Sequence, residues 1–305
     1  MFSAILTCRI KENGDSNLPG LLESIKKNSD NFGNFEVLIK FDTDDYNVPA
    51  MARTFPNYPF RINHIVDRRG RGANDMHLGY TTLLMIANPA TEFFVTLSDD
   101  FEVLPKWDSI LLSSLDTIGE EGTPFKGWVL ETLKGVHDVF ILQHSIHPNA
   151  TMEKKFNMDW NWDDIGLITG LEIAPAFSKK LIQLCGGFGH MSFTDAWAML
   201  LQHELYHRHS LNITRFTNQE YATRNLQGVG MDIVEQANRS GQATFNFHQM
   251  VKPWYKEMVQ TQAQVVADYY HKHRKTILGT QFSTRTLGID KTSKAERRGE
   301  IITHS

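Results

Sequence analysis

Four short apolar runs in the first hundred residues, at 2–7 (FSAILT), 36–41 (EVLIKF), 61–66 (RINHIV) and 92–97 (EFFVTL), alternate with segments whose apolar residues recur at helical spacing. That alternation is the signature of βα units, whose crossover helices return the chain to the same edge and so build a mainly parallel sheet. Leu21, Leu22 and Ile25 mark a first helix at 18–27, with Pro19 suited to its first turn. A second helix over 74–87 carries HLGYTTLLMIA and is stopped by Asn88-Pro89. Further along, VFILQH near Val139 and GLEIAPAF near Gly170 predict strands, while 179–184 and 195–207 predict helices. One long helix is predicted over 253–278, with Pro253 at its start and HKHRK at its end, where cations suit the helix dipole.

At 305 residues with 41% hydrophobic and 22% charged side chains, the chain can bury a sheet of this kind. Its net charge of −4, with both signs spread along the sequence, gives no basic footprint for nucleic acid or an anionic membrane. Cys8 and Cys185 are its two cysteines, which is no disulfide framework and fits a reducing compartment. MFSAILTCRI lacks the basic start and cleavage site of a leader, and no stretch approaches the ~20 apolar residues of a membrane span, so the expectation is a cytoplasmic protein without a transmembrane segment.

The chemistry gathers at the ends of the predicted strands. The fourth runs into Ser98, Asp99 and Asp100, and ligands of open α/β sheets bind at the carboxyl ends of strands. Adjacent carboxylates repel unless a cation or proton is shared, and Mg²⁺ or Mn²⁺ takes oxygen ligands of this kind; solvated turn acids are the plainer alternative. The other strands end similarly. The first gives Thr7-Cys8-Arg9 and the second Asp42-Thr43-Asp44-Asp45, so Arg9 offers a phosphate or base contact and Asp42 and Asp44 offer acceptors for a base or ribose. After the third strand, DRRGRGAND sets Arg68, Arg69 and Arg71 around two glycines just before a helix. Glycine admits close backbone approach and guanidinium matches phosphate oxygens, so this loop is either a diphosphate site or an exposed basic turn.

The order TCR, FDTDD, RRGRGAND and SDDFEVLPKWD resembles the nucleotide-binding half of glycosyltransferase family 2 and its GT-A-fold relatives. The resemblance implies a Rossmann-like α/β fold, with a mainly parallel mixed sheet flanked by helices, over 1–245. It divides into a donor half of about 1–105 and an acceptor half of about 106–245, followed by a C-terminal helix and tail at 246–305. It implies that Asp100, last in the family's Asp-x-Asp motif, binds the metal bridging the donor diphosphate, while Thr7, Arg9, Asp42, Asp44, Arg69, Arg71 and Asp99 bind the nucleotide. Ser98 departs from the motif at its first position.

ITGLEIAPAFSKKLIQLCGGFGHMSFTDAWAMLL is similar to the family's acceptor-side block, in which a Gly-Gly-Phe turn precedes an acidic residue opening a helix. By that match Asp195 is the general base, and the activity implied is an inverting hexosyltransferase using a UDP- or GDP-sugar, Mn²⁺ or Mg²⁺, and a carbohydrate or other hydroxyl acceptor. The resemblance spans roughly residues 2–210 in scattered blocks. Trp160 and Trp162 are candidates for stacking on an acceptor sugar or for plain burial. His203, His207, His209 and His248 are candidates for a further metal ligand. The long helix, with Trp254, Met258 and Tyr269, is open to packing on the core, pairing with a second subunit or covering the acceptor cleft.

Two other readings stand beside this one. His203-Glu204-Leu205-Tyr206-His207 satisfies the H-E-x-x-H pattern of zinc metalloproteases, although the metzincin continuation fails at Ser210 and a third ligand would fall to Glu235. Because Ser98 alters the acidic motif, a non-catalytic nucleotide- or sugar-binding module is the third.

Overall fold

A computed structural model of the chain describes residues 1–69, 76–99, 101–116, 138–146, 175–189, 194–209, 211, 213–216, 222–225 and 252–277. Arg71, Asp100, Trp160, Trp162, Glu235 and His248 lie outside these residues, as does the side chain of Asp195.

The first half follows the predicted βα order: β1 (Phe2–Thr7), α1 (Leu18–Asn28), β2 (Phe35–Asp42), a short α2 (Val48–Ala52), β3 (Arg61–Asp67), α3 (Met76–Leu83) and β4 (Phe93–Ser98). The helix expected to reach 87 gives way to a 3-10 turn at Leu84–Ile86. Next come β5 (Phe101–Val103), α4 (Trp107–Asp116), β6 (Ile141–Gln143), β7 (Ser145–Ile146) and β8 (Ala176–Ser178). The chain then forms α5 (Lys179–Cys185), α6 (Thr194–His209), β9 (Thr214–Phe216), β10 (Thr223–Asn225) and α7 (Pro253–Ile277).

Among the described residues one sheet has seven strands in the order β3-β2-β1-β4-β8-β6-β9, and a smaller one runs β5-β10-β7. β3, β2, β1 and β4 are mutually parallel; β8 is antiparallel to β4 and to β6, and β9 is parallel to β6. The inner strands read as near-continuous apolar runs because both faces are covered. In β1, Ala4 and Leu6 join the core under α1 and α4, while Ile5 points into the core formed with α3, α5, α6 and α7. This is an α/β fold, a mainly parallel mixed sheet flanked by helices with a helix at its C-terminal end.

α7 buries Tyr255, Val259, Ala263, Val266, Ala267 and Tyr270, a stripe at helical spacing, against α5 and α6. Gln262 pins it there: its Oε1 accepts the Trp197 indole N–H at 2.9 Å and its Nε2 donates to the Cys185 carbonyl at 2.8 Å. Gly189, at φ +48°, lies so close to Trp197 that a Cβ there would fall 2.4 Å from the indole Cγ. The turn between α5 and α6 is thereby pressed onto the buried tryptophan. No helix among the described residues is long and apolar enough to cross a membrane.

Candidate functional site at the carboxyl edge

The register of the parallel strands brings their last residues to one edge. Thr7 pairs with Lys40 on one side and Ser98 on the other, and Asp42 pairs with Asp67. Arg9, Asp44, Arg69 and Asp99 occupy the turns that follow. The convergence expected of Thr7, Arg9, Asp42, Asp44, Arg69 and Asp99 is therefore present in the backbone, before any side chain is considered.

Asp45 ties the first two turns together. Its Oδ1 accepts the Ile10 backbone N–H at 3.2 Å and its Oδ2 the Asp42 N–H at 2.7 Å. Burial raises its carboxyl above the ordinary 3.8, and those two N–H groups offset part of that rise. The sequence reading named Asp45 as part of the acidic tip but gave it no role; its tie to Ile10, 35 residues away, is a tertiary contact.

Arg69 folds back onto the same cluster. Its Nε donates to both carboxylate oxygens of Asp44, at 2.8 and 2.6 Å. It also stands 3.8 Å from Asp42 Oδ2, and its Nη2 lies 3.7 Å from Asp45 Oδ1. Asp44 is held below the usual carboxylate range, first by this hydrogen bond and to a lesser degree by the charges of Arg69 and Arg9; Arg69 is raised in return. A guanidinium expected on a diphosphate is here the counterion of three strand-tip carboxylates.

Lys40 was not among the expected site residues. It lies two residues before Asp42, so the two side chains leave β2 on the same face. Its Nζ contacts Asp42 Oδ1 and donates to the Arg68 carbonyl at 3.0 Å. The sequence signal was the lysine of β2 near its carboxyl end, two positions from an acid.

α3 closes this edge from one side. A Cβ on Gly79 would sit 2.6 Å from Thr7 Cγ2, so the helix rests directly on Thr7 because glycine is there. On the other side, Cys8 is buried with Sγ 3.4 Å from Ser16 Oγ. Burial, then the negative charge of Asp99, push its thiol far above the ordinary value, so it stays protonated. The pairing of Thr7 with Ser98 sets Asp99 next to the tip of β1.

Asp195 is the second residue of α6. β9 follows α6 within a few residues and runs parallel to β6, hence in the direction of β4. The glycine-containing loop beyond Arg69, with Arg71, lies outside the described residues.

The H-E-x-x-H segment lies in the second half of α6. The His203 and His207 rings are 4.3 Å apart, but Glu204 is buried and its Oε2 meets Arg208 Nε at 2.7 Å. The carboxylate that a metalloprotease would use as base is here an i,i+4 ion-pair partner. His209 is lowered, chiefly by burial and then by the charges of His271 and Arg208. Among the described residues no three His, Cys, Asp or Glu side chains gather as a metal site. Asp99 is the described member of the acidic pair.

No protein-family model and no curated protein matches the chain. Among solved structures it is similar to the mannosyltransferase PcManGT from Pyrobaculum calidifontis in complex with GDP-Man and Mn²⁺, at 12% identity and TM-score 0.48, covering 98% of this chain and 78% of that one. It is similar to S. aureus TarS 1–349 in complex with UDP-GlcNAc at 10% identity and TM-score 0.46, covering 92% and 93%. A 4-diphosphocytidyl-2C-methyl-D-erythritol synthase from Anaerococcus prevotii is similar at 12% identity and TM-score 0.40, covering 80% and 95%. The architecture of this chain is a parallel β3-β2-β1-β4 leaf, continued by antiparallel β8, with Thr7, Asp42, Asp67 and Ser98 on its carboxyl edge.

Proposed function

We propose that the chain is a glycosyltransferase that moves a sugar from a UDP- or GDP-sugar to an acceptor hydroxyl with inversion. The observation that carries this reading is the gathering of Thr7, Asp42, Asp44, Arg69 and Asp99 at one sheet edge.

In this reading Asp42 and Asp44 accept hydrogen bonds from the base or ribose, Arg9 and Arg71 bind phosphate oxygens, and Thr7 lines the floor under α3. Arg69 either stays on Asp44 or exchanges it for the ligand. Asp195 takes the proton of the acceptor hydroxyl, whose oxygen forms a bond to the anomeric carbon from the face opposite the diphosphate. The carbon–oxygen bond to the diphosphate breaks, and the attack from behind inverts the centre. Asp99 contacts the donor sugar or ribose, and Asp100 is the residue that would hold Mn²⁺ or Mg²⁺, which would offset negative charge on the departing diphosphate.

A thermal-shift series with UDP and GDP, with and without Mn²⁺, tests donor binding, because a ligand of the native state raises the melting temperature. Asp195→Asn is expected to lower transfer by ~10²–10⁴-fold with donor binding kept. Wild-type turnover in that variant would remove Asp195 from the mechanism. Nucleotide binding without hydrolysis or transfer would leave a binding module.

A further inference from the structure

We propose that Lys40 is a positioning residue of the nucleoside subsite: it holds Asp42 from behind so that one carboxylate oxygen faces the cleft. This rests on the nucleotide-sugar reading above. Lys40 is nearly enclosed, with its side chain 8% exposed against 17% for Asp42. The carboxylate therefore reaches the opening, and the ammonium sits behind it. An ammonium in such a place is costly unless each charge is met, and Lys40 meets it with Asp42 Oδ1 and the Arg68 carbonyl.

That contact orients Asp42. With Oδ1 taken by Lys40, Oδ2 remains on the side of Arg69 Nε, 3.8 Å away. The second partner matters as much, because Arg68 directly precedes Arg69. One buried cation thus sets the acceptor from β2 and the turn that carries the guanidinium. Its stem is covered by α3, whose Gly79 would carry a Cβ 3.8 Å from Lys40 Cδ. Because Lys40 contacts Asp42 and the turn, its influence falls on the nucleoside part of a ligand and works through the Asp42 carboxylate.

The test is a double-mutant cycle on the full chain, with uridine, guanosine, UDP and GDP titrated calorimetrically. Lys40→Met is expected to weaken the nucleoside that binds, and its diphosphate, by one common factor of about ten, the scale of one charge-assisted hydrogen bond. In an Asp42→Asn background, adding Lys40→Met is expected to change nothing further. Lys40→Gln, which keeps a neutral donor, should fall between wild type and Lys40→Met, and it runs the same cycle if the methionine variant does not fold. Wild-type affinity in both Lys40 variants would overturn the proposal. So would a loss confined to the diphosphates, the mark of a phosphate ligand, or losses at Lys40 and Asp42 that multiply, the mark of independent packing. If the wild-type chain binds none of the four compounds, the nucleotide reading itself falls, a result distinct from any difference among variants.

Discussion

The two ends of the same four strands are built on opposite principles. At the amino edge Phe2 stacks on Phe35 and Phe93, with ring centres 5.6 and 5.0 Å away, and Trp107 meets it edge-on at 5.2 Å. The carboxylates there are answered chiefly by neutral groups of the frame. Asp108 accepts the backbone N–H of Asp30 and Asn31 and the side-chain amide of Asn34, at 2.9 to 3.0 Å. Glu36 accepts the Ser3 hydroxyl and the Asn88 N–H, with Arg61 3.6 Å from its other oxygen. At the carboxyl edge charge answers charge, Lys40 to Asp42 and Arg69 to Asp44.

The difference is one of exchangeability. A backbone N–H that loses its acceptor inside the protein stays unsatisfied, so the amino edge tolerates no substitute. Arg69 and Asp44 are 34% and 58% exposed, and an ion pair so placed contributes little net stability. A ligand's phosphate or base can take the place of either partner at small cost to the fold.

The largest expected effect lies at the amino edge. Asp108→Ala strands three donors and should lower unfolding free energy by about 3 kcal/mol or more in urea titrations, with nucleotide affinity unchanged in the folded protein. A loss below ~1 kcal/mol, the size of an ordinary surface change, would erase the contrast between the edges. Gly79→Ala comes next, at about 1–3 kcal/mol, as an overpacked contact against Thr7. It sharpens the comparison because melting temperature and nucleotide affinity should fall together, whereas Asp108→Ala should move only the first.

The smallest effect is expected for Arg69→Met, which should leave the melting temperature at neutral pH nearly unmoved. Its readout is the titration of Asp44 by NMR, which should rise toward 3.8 once the guanidinium is gone. The signs at this edge oppose each other. The folded value of Asp44 is lowered, so its contribution is present above 3.8 and is lost as pH falls through the folded value. That of Asp45 is raised, so the native state keeps its proton longer and stability declines as pH rises from 3.8 through the folded value. Urea titrations across the acid range should therefore show Arg69→Met losing the first dependence and keeping the second.

Much of the frame was legible beforehand because it is written in local periodicity. EVLIKF reads as a strand and LPGLLESIKK as a helix with Leu21, Leu22 and Ile25 on one face, and both form where the pattern puts them. β5, β7 and β10 were not legible, since strands of two or three residues show no alternation and Thr223–Asn225 finds Phe101–Val103 more than a hundred residues away. H-E-x-x-H shows the converse. Its spacing is real, yet the ion pair to Arg208 and the burial of Leu201 and Leu205 make this a packing helix. Only the surroundings distinguish a motif from its coincidence.

By itself, then, the sequence determined the alternation of strands and helices and hence the edge to which Thr7, Asp42, Asp67 and Ser98 would be delivered, because successive side chains and crossovers obey short-range geometry. The tertiary structure decided the pairings at that edge: Arg69 on Asp44, 25 residues apart, Asp45 on the Ile10 N–H, and Lys40 behind Asp42. A charged side chain chooses its partner by distance and burial after the chain has closed, and neither quantity exists until the strands lie side by side.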